Sequence, residues 1–201
     1  MKIALFGMAL LSLSVTEASA VQVDFEIFND GEVVTNQISG LVFTNATAVS
    51  SGLTLNEFEF PPRSGKNVVF DDGGPISIAF SNPISYFSAY FTYAEPIRLA
   101  AFGLGGVLLG DVVSDPAFMS NIALSGSPGS SPNSLLSFAS SSQIWRLEIS
   151  GSALGSSYAM DDISYRLADP VPEPETYAML LAGLGLIGFA ARRGKAACQL
   201  F

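Results

Sequence analysis

Residues 75–93 read PISIAFSNPISYFSAYFTY, and large apolar side chains occupy every second position on both sides of Asn82-Pro83. The apolar set before this turn signal is Ile76, Ile78 and Phe80. The set after it is Phe87, Ala89, Phe91 and Tyr93, which alternate with Tyr86, Ser88, Tyr90 and Thr92. A period of two is typical of a strand with one buried face. The stretch therefore predicts two strands, at 75–81 and 84–93.

The same alternation continues in both directions from this stretch, between turn signals rich in Gly, Pro, Asn and Asp. No convincing amphipathic helix interrupts it between residues 21 and 169. Further strands are predicted near 22–28, 38–44, 46–50, 67–70, 97–103, 107–113, 143–150 and 157–167. The Ser-, Gly- and Pro-rich stretch 125–142 is predicted to be a long loop, with room for one short strand at 135–138. Many short strands predict an all-β fold, an antiparallel β-sandwich or jelly roll, over residues 21–169.

The N-terminal segment 1–20 has the organisation of a signal peptide. Lys2 gives a positive start, an apolar stretch of 13 residues follows from Ile3 to Val15, and Ala18-Ser19-Ala20 supplies small residues for signal peptidase. The apolar stretch is too short to span a bilayer permanently. We expect Sec-type export with cleavage after Ala20.

The C-terminal segment 170–201 predicts a membrane anchor. Prolines break the chain at 170, 172 and 174, and an uncharged stretch of 16 residues follows at 176–191. As a helix this stretch would be roughly 24 Å long, short but sufficient for a single transmembrane helix. The basic cluster Arg192, Arg193 and Lys195 predicts that this flank is cytoplasmic.

The order of motif, apolar helix and basic cluster resembles the PEP-CTERM sorting tail of Gram-negative bacteria that make extracellular polysaccharide. The motif lies at 171–175, with Pro172, Glu173 and Pro174 at its centre. The resemblance implies processing near this motif by an exosortase, a membrane transpeptidase. It implies a precursor anchored in the inner membrane and then delivery to the cell surface or extracellular matrix.

Composition excludes several functions for the chain. It has 201 residues, no histidine, one cysteine and a net charge of −9. Without histidine there is no Ser-His-Asp or Cys-His catalysis, and without a second cysteine there is no internal disulfide. Between residues 21 and 169, fifteen acidic residues face five basic ones, which argues against nucleic acid as a partner.

The domain 21–169 is similar, through short patterns, to carbohydrate-binding-type jelly rolls. These patterns are the initial Val-Asp-Phe-Glu, the central Arg63-Ser64-Gly65-Lys66-Asn67 and the final Met-Asp-Asp-Ile-Ser-Tyr. The resemblance implies that the first and last strands lie side by side and hold a structural calcium ion. The matching ligands are Glu26 and Asp161 or Asp162, with Asp24 as a further candidate. The alternative is that these carboxylates are simply solvated.

Two functions remain open for this domain. One is a non-catalytic structural, adhesive or polysaccharide-binding module, in which Tyr86, Tyr90, Tyr93 or Trp145 would stack on sugars. Each of these aromatics has a core position as the simpler interpretation, Trp145 above all. The other is a glycan-acting hydrolase using Glu57, Glu59, Glu95 or Glu148, but their spacing selects no acid–base pair. We expect the non-catalytic module.

Overall fold

The computed structural model describes residues 20–168 and 179–188. Nine strands lie in the first of these ranges, with one short 3-10 turn at Leu104–Gly106. The strands are β1 (Val21–Val23), β2 (Leu41–Thr44), β3 (Ala46–Ser50), β4 (Asn67–Asp71), β5 (Ile76–Tyr93), β6 (Arg98–Phe102), β7 (Leu108–Val113), β8 (Ser134–Ser150) and β9 (Tyr158–Leu167). The all-β prediction is confirmed for this range.

The strands pair in the order β3-β4-β9-β5-β8-β6-β7, and every pair is antiparallel. Strand β2 adds to the first part of β5, and β1 adds to β9. The first and last strands are therefore neighbours, as the jelly-roll resemblance implied. The strands enclose one main core, and the fold is an antiparallel β-sandwich.

Strand β5 joins the two strands predicted at 75–81 and 84–93 into one strand of 18 residues. Its register against β8 shifts between Ala79 and Ile84, on either side of Asn82-Pro83. Even-numbered side chains are buried before this irregularity, and Phe87, Ala89, Phe91 and Tyr93 after it. A bulge changes which side chains face the core without ending the strand, and proline is tolerated there because it has no N–H to pair.

Strand β8 corrects two predictions. It begins at Ser134, so the second half of the predicted 125–142 loop is strand, paired with residues 86–91 of β5. Packing against an established strand overrides the weak β-propensity of the serines. In addition, Trp145 does not belong to the buried set that includes Leu147 and Ile149, because it is half-buried beside the register shift.

The first strand is shorter than the predicted 22–28, because β1 ends at Val23. Phe25 takes a left-handed conformation with φ of 61°, and the Phe28 N–H donates to the Phe25 carbonyl in a turn. Phe25 and Phe28 are both buried in the core, whereas Ile27 is 68% exposed. Burying two aromatic rings three residues apart favours the turn over the strand.

The C-terminal unit is described only over 179–188, where the chain is helical. Within residues 20–168 and 179–188 there is no helix with the length and apolar character needed to cross a membrane. The predicted signal peptide 1–20, apart from its last residue, the motif 171–175, the ends of the predicted helix 176–191 and the basic cluster 192–195 lie outside the described residues.

Candidate functional site

A polar cleft of about 570 Å³ lies on the outer face of the sheet, over β1, β9 and β5. We refer to it as the β1–β9 cleft. Five of its eleven lining residues come from β1 and β9, one directly follows β1, and the rest come from β5, the start of β8 and the loop at 61–66. The lining residues are Gln22, Val23, Asp24, Arg63, Ser64, Ser88, Tyr90, Leu135, Asp162, Ile163 and Ser164.

The 61–66 loop forms one wall of the cleft, and two carboxylates of β9 hold it there. The Asp161 Oδ2 accepts the backbone N–H groups of Arg63 and Ser64, at 2.8 and 3.1 Å. The Ser64 hydroxyl donates to the Asp162 Oδ1 at 2.7 Å. Hydrogen bonds to a charged acceptor are the stronger kind, so the loop is fixed to the strand rather than free to move.

A bulge in β9 lets these two adjacent carboxylates contact the same loop. The register against β5 shifts between Ser88 and Tyr90, and Asp162 has a φ of 47°. Asp161 is buried, whereas Asp162 lines the cleft. Without the bulge, consecutive side chains of a strand would simply face opposite sides of the sheet.

Burial raises the pKa of Asp161 to about 6, and the negative charge of Asp162 acts in the same direction. The amide hydrogen bonds from Ser64, Asp162 and Arg63 oppose this increase because they stabilise the ionised carboxylate. Asp161 is therefore a carboxyl group that loses its proton close to neutral pH.

Glu26 holds the other end of the same loop. Its Oε1 accepts the backbone N–H groups of Lys66 and Asn67, at 3.0 and 2.8 Å. Gly65 has a φ of 51°, and a Cβ there would collide with the Glu26 carboxylate. The loop can approach Glu26 this closely only because residue 65 is glycine.

The four predicted calcium ligands thus lie around the 61–66 loop, and their known contacts are with backbone amides and one hydroxyl. Asp24 accepts the N–H of Glu26 at 3.2 Å. Over residues 20–168 and 179–188, no three acidic, histidine or cysteine side chains come together closely enough to hold a metal ion. Among the carboxylate oxygens of these four residues, one on each of Asp24, Glu26 and Asp162 accepts no hydrogen bond within those ranges.

Two tyrosines of β5 lie on the outer face of the sheet, and an arginine covers each one. The Arg63 guanidinium is 4.6 Å from the centre of the Tyr90 ring, and that of Arg166 is 4.7 Å from the Tyr86 ring. Both tyrosines are half-buried. Between them the register aligns Gln22, Ser164, Ser88 and Ser137 in one row across four strands.

The other two aromatic candidates have different positions. Tyr93 is 1% exposed and belongs to the core, so it is not a surface ligand contact. Trp145 is half-buried, which corrects the interpretation of Trp145 as a core residue, but it does not line the cleft.

Two of the candidate catalytic carboxylates have structural partners. Glu59 accepts the backbone N–H groups of Leu124 and Ser125, and these bonds hold its pKa below the ordinary value. Glu148 forms an ion pair with Arg146. Glu57 and Glu95 do not line the cleft.

Several residues of the cleft were not among the sequence candidates, namely Gln22, Arg63, Ser88, Ser164 and the neighbouring Arg166. The alternation of Ser164 and Arg166 with the buried Ile163 and Tyr165 predicts their outward direction. Their juxtaposition with β5 depends on strand order, which one sequence does not reveal.

The fold and the tail together define the class: an antiparallel β domain followed by a C-terminal sorting signal. Residues 170–194 match the PEP-CTERM protein-sorting motif, so this prediction is confirmed. PEP-CTERM sorting implies an exported protein that is processed by an exosortase-type enzyme.

Solved structures give fold likenesses only. The K2 cleaved adhesin domain of Lys-gingipain is 13% identical, with a TM-score of 0.48 over 74% of this chain and 100% of that domain. The GH26-CBM35 β-(1,4)-mannanase of Podospora anserina is 14% identical, with a TM-score of 0.38 over 78% of this chain and 29% of the mannanase. No curated protein matches the chain.

Proposed function

We propose that this chain is an exported, non-catalytic module that binds polysaccharide through the β1–β9 cleft at the cell surface or in the extracellular matrix of a Gram-negative bacterium. One observation supports the binding role above all: a row of hydroxyl and amide side chains lies between two half-buried tyrosines on the outer face of the sheet. Sugars present many hydroxyl groups, and the serine, glutamine and tyrosine side chains of this surface offer hydrogen-bond partners for them.

The proposed route begins with signal-peptide cleavage after Ala20. Strand β1 begins at Val21, so this cleavage would leave its pairing with β9 intact. The chain would then be held in the inner membrane by the helix 176–191, with Arg192, Arg193 and Lys195 on the cytoplasmic side. Pro172, Glu173 and Pro174 would form the extended segment that the sorting enzyme binds.

The absence of catalysis is part of the proposal. A glycosidase needs two carboxyl groups facing each other across the sugar, one with a raised pKa. Asp161 has the raised pKa, but it is buried and its oxygens accept backbone amides. Glu59 and Glu148 are likewise engaged by the protein itself.

A glycan array and a hydrolysis assay on the domain from Val21 to Ala168, which contains all nine strands and the core, test this proposal together. We expect retention of polysaccharide without release of reducing ends. Release of sugars at a rate that depends on the protein would support the hydrolase instead. Absence of any glycan binding would contradict the proposed function.

A structural calcium ion at Asp24, Glu26, Asp161 and Asp162 is a separate proposal. The adjacency of β1 and β9 supports it, as do the free oxygens of Asp24, Glu26 and Asp162. If the ion binds there, calcium raises the melting temperature of the domain relative to EDTA. An unchanged melting temperature would mean that the amide contacts alone hold the loop.

A further inference from the structure

The arginines of the β domain divide into two kinds. Arg98 pairs with Asp111 at 2.8 Å, and Arg146 pairs with Glu148. Arg63 and Arg166 are exposed, and within residues 20–168 and 179–188 their guanidinium groups form no ion pair. The net charge of −9 disfavours a polyanion over the surface as a whole, so an anion would have to bind locally at these two arginines.

Both of these arginines lie on the face that contains the cleft. Each covers a tyrosine of β5, and Tyr86 and Tyr90 are four residues apart in a stretch of regular pairing with β8. At about 3.3 Å per residue the two tyrosines are roughly 13 Å apart along the strand. Ser88 lies midway between them, opposite Ser164 of β9.

A guanidinium held against an aromatic ring is well prepared to bind an anion. The ring fixes its position, and its N–H groups still face outward in a planar fork that matches a carboxylate. No hydrogen bond within the described residues uses the guanidinium N–H groups of Arg63 or Arg166. Those donors are available to a ligand.

The two ends of the face differ in charge. Asp24 and Asp162 line the cleft beside Arg63, and Asp161 is buried behind it. No carboxylate within the described residues forms an ion pair with Arg166. A ligand carboxylate is therefore favoured at the Tyr86 and Arg166 end, and the hydroxyl-rich part of the sugar at the Tyr90 end.

We propose that the polysaccharide is anionic, a polymer containing uronic acid, and that Arg166 pairs with one of its carboxylates. This inference rests on the proposed binding function and adds the chemical class of the ligand. It also assigns a role to Tyr86 and Arg166, which lie just beyond the cleft.

The test compares polygalacturonate and hyaluronan with their carboxyl-reduced forms, which keep the same backbone without the charge. Affinity for the Val21–Ala168 domain is measured by affinity electrophoresis at physiological salt, with circular dichroism as the check on folding. We expect Arg166→Gln to weaken binding of a polyuronate about tenfold, the loss of one charge-assisted hydrogen-bond pair. Arg98→Gln, which removes a paired arginine at the β6–β7 edge, is the matched control and leaves binding unchanged.

The outcomes separate this inference from the proposed function. If the reduced polymers bind as well as the polyuronates, and Arg166→Gln binds like the wild type, the anionic ligand is wrong and polysaccharide binding stands. If neither form of either polymer binds while the array retains another glycan, the anionic ligand is wrong and polysaccharide binding stands; if the array retains no glycan, both proposals fail. An equal loss of affinity in Arg98→Gln and Arg166→Gln would indicate attraction by overall charge rather than binding at a site. That result would also overturn the inference.

Discussion

Gly65 illustrates how a single residue determines the shape of the cleft wall. Its left-handed φ and its contact with Glu26 together allow the 61–66 loop to donate two amides to one carboxylate oxygen. Glycine is the residue type that adopts this φ readily and has no side chain to collide with Glu26.

Replacing Gly65 with alanine should destabilise the domain by about 1–3 kcal/mol, because the left-handed conformation is strained and the new Cβ displaces Glu26. Denaturant unfolding measures the change. Gly52→Ala is the matched control, since Gly52 has a φ of +75° with nothing within 4 Å of a Cβ. Equal losses in the two variants would show that the Glu26 contact contributes nothing.

Asp161 gives a prediction about pH. Because its pKa in the folded chain is raised to about 6 from 3.8, ionisation is less favourable in the folded state than in the unfolded state. Its contribution to stability is complete below pH 3.8 and is lost as the pH rises through 6. Carbon-13 NMR of the carboxyl groups in EDTA should show one aspartate titrating near pH 6. A set of aspartates that all titrate near pH 4 would contradict the buried position.

At the scale of elements, the 61–66 loop depends on β9 and on the turn after β1, both of which are distant from it in sequence. Asp161 lies 98 positions after Arg63, and Glu26 lies 40 positions before Lys66. The loop also contains two sites for trypsin, at Arg63 and Lys66, which makes its attachment measurable.

Asp161→Ala should release the loop and increase the rate of tryptic cleavage after Arg63 and Lys66 at least about tenfold, since two amides lose a charged acceptor. Mass spectrometry of the first fragments measures this rate. Cleavage after Arg98, on β6, is the internal reference. An unchanged ratio of loop cleavage to Arg98 cleavage would mean that Asp161 does not hold the loop.

Most strands could be predicted from the sequence because their apolar residues alternate and turn residues separate them. The sequence pattern also changes at the bulge of β5. The buried apolar residues have even numbers before Asn82-Pro83 and odd numbers from Phe87 onward. What could not be predicted was pairing at a distance. Residues 134–142 form a strand because they pair with β5. Phe25 lies in a turn rather than in β1 because its ring packs in the core.

The candidate site was predictable in part for the same reason. Tyr86 and Tyr90 were recognisable as the outer residues of an aromatic strand, and Asp161 and Asp162 as acidic residues of the last one. Their partners Arg63 and Arg166 come from other parts of the chain. Only the strand order β9-β5-β8 and the bulge at Asp162 bring these groups to one face.

On the scale of the whole molecule, the proposal divides the roles: the signal peptide directs export, the tail directs sorting and the β domain binds the ligand. The tail prediction concerns location: replacing Glu173 or deleting 176–195 should change where the protein accumulates, because the sorting motif or the proposed anchor is lost. Cell fractionation with immunoblotting measures it. The Arg98→Gln variant, which leaves both the tail and the proposed binding face intact, is the control and keeps the normal distribution. An identical distribution of tail variants and wild type would refute the sorting role.

The cleft as a polysaccharide site is tested most directly by the affinity of the Val21–Ala168 domain for a glycan retained in the array, measured by calorimetry with Tyr90→Ala and Phe58→Ala. Tyr90 lines the cleft, whereas Phe58 is an aromatic residue outside it that is 71% exposed. We predict that Tyr90→Ala weakens binding about tenfold, because it removes a side chain of the cleft together with the ring that holds the Arg63 guanidinium there, and that Phe58→Ala binds like the wild type. Unchanged affinity in Tyr90→Ala, with the fold intact, would contradict the assignment of the cleft.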